Sequence, residues 1–197
     1  MVERYIKSNI CPLPWTHLEV DVNGGASPCC LYKGSIDNYK VYETDLKTIQ
    51  NSEYMEKLRQ EFKDGNKPIG CQSCWQEEDA GKTSKRMNSL YKMKNSLQDW
   101  TPNSETSLKF IDFKLGNVCN LKCRMCISEW SSQIAEEILS NPNEDWDDTP
   151  TQKIIEINED TWKLLEDWIP DVKRVFMTGG EPTIIKRNLN YINKIIE

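Results

Sequence analysis

A chain of 197 residues that is 38% hydrophobic and 28% charged has the composition of a folded globular protein of one or two small domains. No apolar run approaches the roughly 18 residues a membrane helix needs, and the opening MVERYIKSNICPLPW has no secretory apolar stretch, so a cytoplasmic setting without membrane contact is expected. The net charge of -6 argues against a nucleic-acid partner, whose phosphates call for clustered Lys and Arg.

In chain order, residues 16–22 alternate, with Leu18, Val20 and Val22 on one face and His17, Glu19 and Asp21 on the other, as in a half-buried strand. Asn23-Gly24-Gly25 supplies a turn, and a hairpin returning through residues 26–31 brings Cys29 back near Cys11. Leu46, Ile49, Met55, Leu58 and Phe62 recur at helical spacing over residues 45–64, and Gly65 ends the helix. The basic run Lys82 to Arg86 and the acidic run Glu77-Glu78-Asp79 read as solvated surface, and Trp15, Trp75 and Trp100 as packing residues. Breakers and small polar residues mark a linker at residues 99–107, between a first domain (1–98) and a second (108–197). Past it come a strand (108–115), a cysteine-bearing loop (116–126), a helix (131–139), an acidic excursion (140–151), a helix (161–169), a second strand (172–178) and an amphipathic C-terminal helix carrying Leu189, Ile192 and Ile196. Strands alternating with helices imply a parallel sheet of α/β class, with ligand sites at the carboxyl ends of its strands. The cysteine loop and Gly179-Gly180-Glu181-Pro182 both fall at such ends.

Eight cysteines in a reducing compartment point to metal ligation rather than disulfides. Cys119-Asn-Leu-Lys-Cys123-Arg-Met-Cys126 offers three thiols, one short of a closed structural zinc site. A cubane iron–sulfur cluster held by three cysteines keeps one iron open. A partial zinc site or buried small hydrophobes would be the plainer alternatives. CNLKCRMC after a strand, followed by GGEP at the end of the next, resembles the radical S-adenosylmethionine (SAM) superfamily. The resemblance implies a [4Fe-4S] cluster on Cys119, Cys123 and Cys126 whose open iron chelates SAM, with Gly179, Gly180 and Glu181 at its methionine amino group. Reductive cleavage of SAM to a 5′-deoxyadenosyl radical follows, with an external reductant such as flavodoxin or ferredoxin. Met125 stands where the family usually has an aromatic residue near the adenine.

Cys71-Gln-Ser-Cys74 is a metal knuckle that serves zinc or iron–sulfur equally. Cys11, Gly24 and Cys29, together with the segment EYMEKLRQEFKDGNKPIGCQSCWQEEDAGKTSKR, resemble SPASM and twitch modules, the auxiliary-cluster domains of radical SAM enzymes. That resemblance implies a second [4Fe-4S] cluster on Cys11, Cys29, Cys71 and Cys74, with Cys30 spare. It also implies a small α+β module with a β-hairpin ahead of an incomplete TIM-barrel-like core. A structural zinc ribbon, with His17 as a further ligand, is the alternative for this site. The family barrel has about six strand–helix units, so the expectation is a fragment, or a partner chain that completes the barrel. The resemblance implies a peptide or protein substrate. The reading from another class is a non-catalytic iron–sulfur or zinc module for electron transfer or protein interaction.

Overall fold

The computed structural model describes every residue except 1, 35, 37, 38, 143–145, 147–149 and 151. In chain order its elements are α1 (Val2–Ile6), α2 (Leu13–Thr16), β1 (His17–Val20), β2 (Ala26–Ser27), α3 (Leu46–Gln50), α4 (Glu53–Lys63), α5 (Gln72–Asp79), α6 (Lys85–Lys92), β3 (Phe110–Lys114), α7 (Ser132–Ser140), α8 (Glu159–Glu166), β4 (Arg174–Thr178) and α9 (Lys186–Ile196). Short 3-10 turns cover Ile69–Cys71 and Ser128–Trp130. The expected acidic excursion at 140–151 falls largely outside the described residues. No helix among them is long and apolar enough to cross a membrane.

The sheet runs β2-β1-β3-β4, antiparallel at β1–β2 and parallel at β1–β3 and β3–β4, and it does not close. The fold is therefore mixed α/β with an open four-stranded sheet. Strands on both sides of residues 99–107 share this one sheet, because His17 pairs with Phe110 and Phe110 with Arg174. The turn behind β1 follows from its residues. Asp21 Oδ1 accepts the amides of Asn23 and Gly25, each at 2.8 Å, which folds the chain back. At Gly24, with φ +73°, a Cβ would lie 2.4 Å from the Tyr42 ring, so only glycine lets that ring cover the turn.

Strand alternation splits the sheet into two chemically distinct faces. Leu18, Val20, Ile111 and Phe113 sit on the apolar face, all essentially buried. There Phe113 meets Tyr191 of α9 edge-on at 5.5 Å, and Trp162 of α8 lies 6.1 Å from the same tyrosine. The other face carries His17, Glu19, Phe110, Asp112, Lys114, Arg174 and Phe176. Around the N-terminal helices, Trp15 contacts Trp100 edge-on at 5.5 Å and Phe62 at 6.5 Å, and Trp75 packs on Phe62 at 6.4 Å. All three tryptophans expected to pack are buried.

Four expectations change. His17 is buried rather than solvent-facing, because β1 is an inner strand covered on both faces. The helix expected over 45–64 is two helices. Asn51-Ser52 interrupts it, and the Ser52 side chain caps the amide of Met55 at the start of α4. Arg86, from the run read as solvated, is 2% exposed: its guanidinium donates to the carbonyls of Tyr5, Ile6, Ser8 and Ile10. Glu78, from the acidic run, closes that network by accepting two Arg86 bonds at 2.8 and 2.7 Å.

Candidate metal centres

Cys11, Cys29, Cys71 and Cys74 come from four separate positions and line one small cavity of about 20 Å³. Each arrives for a local reason. Cys11 precedes the Pro12 and Pro14 that start α2, and Cys29 follows the edge strand β2. Cys71 ends a 3-10 turn that runs into α5, which carries Cys74 one turn on. The Lys33 amide donates to the Gly70 carbonyl at 2.8 Å, tying the chain after Cys29 to the turn before Cys71. Leu13, Phe62 and Trp75 make the walls apolar, and Lys85 and Arg86 supply positive charge. Cys30 stands outside that cavity: it is exposed, and its Sγ accepts from Lys85 Nζ at 3.0 Å.

Burial pushes the Cys11 thiol well above its usual range, and the neighbouring Cys29 and Cys71 push it further. Burial likewise raises Cys29 to about 11, and raises Cys71 with help from Cys29 and Cys74. Four crowded thiols in an apolar pocket cannot ionise together without a cationic centre among them. The donor set fits a thiolate-bound iron–sulfur cluster, whose cationic iron reverses that penalty. Among the described residues no three His, Cys, Asp or Glu side chains are grouped closely enough to hold a single metal ion.

The second set lies on the loop after β3. Asn117, fully buried, fixes the loop's root: its Oδ1 accepts the Ile155 amide at 2.8 Å and its Nδ2 donates to the Lys153 carbonyl at 3.1 Å. Ser132, at the start of α7, accepts the Cys119 amide at 3.1 Å, and Ser131 donates to the Leu121 carbonyl at 2.9 Å. The Leu121 amide points at Cys119 Sγ at 3.3 Å, and the Cys126 amide bonds the Cys123 carbonyl at 2.9 Å. Cys119 and Cys126 are half-buried and Cys123 is exposed. Met125 is 94% exposed, open to a ligand rather than committed to the core.

The diglycine turn after β4 packs directly against this loop. The Glu181 amide donates to the Val118 carbonyl at 2.8 Å, and the Gly180 amide to Trp130 at 3.0 Å. A Cβ at Gly180 would lie 2.3 Å from the Val118 oxygen, and one at Gly179 3.1 Å from the Gly116 oxygen. Both glycines take positive φ, +77° and +42°. The Glu181 carboxylate accepts the hydroxyl and amide of Thr183, which hold its pKa below the ordinary glutamate range.

Sequence reasoning missed Lys85, Arg86, Asn117 and Asp112. The signal for Asp112 is legible in Phe110-Ile-Asp-Phe113, an acidic residue inside an apolar strand. Arg86 carries no such mark, since its carbonyl partners lie about eighty positions away.

Comparison with curated proteins and with solved structures gives no match. A family model, SPASM, described as an iron–sulfur cluster-binding domain, matches residues 11–75, a span that begins at Cys11 and takes in Cys29, Cys71 and Cys74. That match indicates iron–sulfur cluster binding in this segment.

Proposed function

We propose that the chain is a radical SAM enzyme or a part of one, with two [4Fe-4S] clusters and a peptide or protein substrate. Cys119, Cys123 and Cys126 would hold the SAM-activating cluster, and Cys11, Cys29, Cys71 and Cys74 the auxiliary one. When bound and reduced by a partner such as flavodoxin or ferredoxin, the first cluster and SAM together supply a 5′-deoxyadenosyl radical for hydrogen abstraction. The protein's part is binding, orientation and exclusion of water. The observation that carries the reading is the packing of Gly179-Gly180 against the backbone of the cysteine loop, with no room for a Cβ at position 180. This packs the turn after β4 against residues 116–118, the root of the loop that carries the three thiols. The Leu121 amide aimed at Cys119 Sγ fits ligation, because hydrogen bonds to cluster sulfurs tune potential. Thr183 engages only the Oε1 of Glu181, so the turn offers both its backbone and a carboxylate oxygen to the methionine end of SAM.

The test is the electron paramagnetic resonance (EPR) spectrum of the reduced, anaerobically reconstituted chain. Added SAM should change the signal of the Cys119–Cys126 cluster and leave that of the other unchanged. A signal indifferent to SAM would reduce the chain to an iron–sulfur module for electron transfer.

A further inference from the structure

The polar face of the sheet carries a cavity of about 660 Å³ that neither cysteine set lines. Its volume falls in the range of small-molecule sites. His17, Lys85, Lys92, Asp112, Arg174 and Phe176 contribute to its lining. Asp112 is 4% exposed, and its Oδ1 has no hydrogen-bond partner among the described residues. Such an orphaned acceptor is costly to bury, and Asp112 lines the cavity together with Lys85, the cation that acts on its carboxyl. His17 adds a second acceptor. Its Nδ1 bonds the Pro28 carbonyl at 2.9 Å and must donate there, which leaves Nε2 with a lone pair.

Opposite charge waits on the next strand. The side chains of Arg174 and Lys92 have neither hydrogen bond nor ion pair among the described residues, and both residues are exposed. Phe110 pairs with Arg174 and Asp112 with Phe176, so Arg174 and Asp112 are diagonal neighbours on the same face. Strand spacing and rise put their Cα atoms about 8 Å apart. Two extended residues span about 7 Å. Phe176, 59% exposed, pairs with Asp112 two residues along the strand from Arg174 and offers an aromatic surface beside both.

We propose that this cavity binds a short zwitterion of peptide character, its ammonium group on Asp112 and its carboxylate on Arg174. Lys85 lines both this cavity and the one framed by Cys11, Cys29, Cys71 and Cys74, so the ligand lies one side chain away from those thiols. Binding there requires neither cluster, and the site stands or falls separately from the radical reading.

Isothermal titration of the full chain with the dipeptide Gly-Phe tests it, beside N-acetyl-Gly-Phe and Gly-Phe amide. Gly-Phe should bind, and blocking either end should weaken it about tenfold or more, the scale of one charge-assisted bond. Asp112→Asn, of the same shape, should weaken Gly-Phe to a similar extent. Arg174→Gln, on an exposed position, should bind Gly-Phe and its amide equally. No heat with Gly-Phe, or unchanged preference for it over the amide in Arg174→Gln, would overturn the proposal.

Discussion

A methyl group at position 180 would fall 2.3 Å from the Val118 carbonyl oxygen, in a backbone conformation at φ +42° that L-residues avoid. Gly180→Ala must therefore push the diglycine turn off the cysteine loop, and SAM affinity read from the EPR titration should fall at least tenfold. Gly65→Ala is the matched control. It also has positive φ, +79°, but nothing lies within 4 Å of the added carbon, so it should cost about 1–2 kcal/mol of stability and leave SAM binding alone. A second pair of variants separates adjacent thiols. Cys29→Ser should remove the iron of the N-terminal centre, while Cys30→Ser, whose sulfur lies outside that cavity and accepts from Lys85, should retain it. Iron analysis after reconstitution decides between them. The sequence placed the CxxxCxxC loop and the GGEP turn at strand ends because those motifs are local. It could not place Asp112 beside Arg174, since that depends on the register of two strands sixty residues apart.

Elements were legible where their signals lie within the element. Ser52 shows why boundaries were less so: apolar spacing continues across it, yet its side chain accepts the Met55 amide and starts α4 afresh. Ser52→Ala should lower stability by about 1 kcal/mol in chemical denaturation, with loss of the cap as the cause. The two faces of β1 were misread for a different reason. Alternation distinguishes faces, but it does not reveal that both are covered. Burial, assisted by Lys85 and Lys114 and opposed by the Pro28 bond, lowers the His17 pKa from 6.5 to about 4. Between those values the unfolded chain binds a proton that the folded chain refuses. Stability should therefore fall as pH drops through that window, by roughly 1.4 kcal/mol per pH unit from this residue. Denaturation midpoints of His17→Asn, compared with the parent from pH 6.5 to 4, should show a shallower decline. Equal slopes would contradict the assignment of a buried neutral imidazole.

Across the whole molecule, the fold's organising feature is a sheet that joins the hairpin of the first half to the strands of the second. Composition shifts at residues 99–107 signal a break in the chain's local character, and they are silent about strand pairing across it. Arg86 plays the same integrating role at the N-terminus, holding four carbonyls of residues 5–10 together with Glu78 beside the thiol cavity. Arg86→Met should destabilise by about 3–5 kcal/mol, because it strands a half-buried carboxylate and those carbonyls. Its thermal midpoint should drop accordingly, and the N-terminal centre should lose iron along with it.

Whether two separate sets of thiols each hold an iron–sulfur cluster is decided by chemical analysis of the anaerobically reconstituted protein. Two cubanes predict about eight irons and eight acid-labile sulfides per chain, about half of each being lost in Cys123→Ser and the complementary half in Cys74→Ser. Zinc without sulfide, or an iron content that neither substitution lowers, would contradict it.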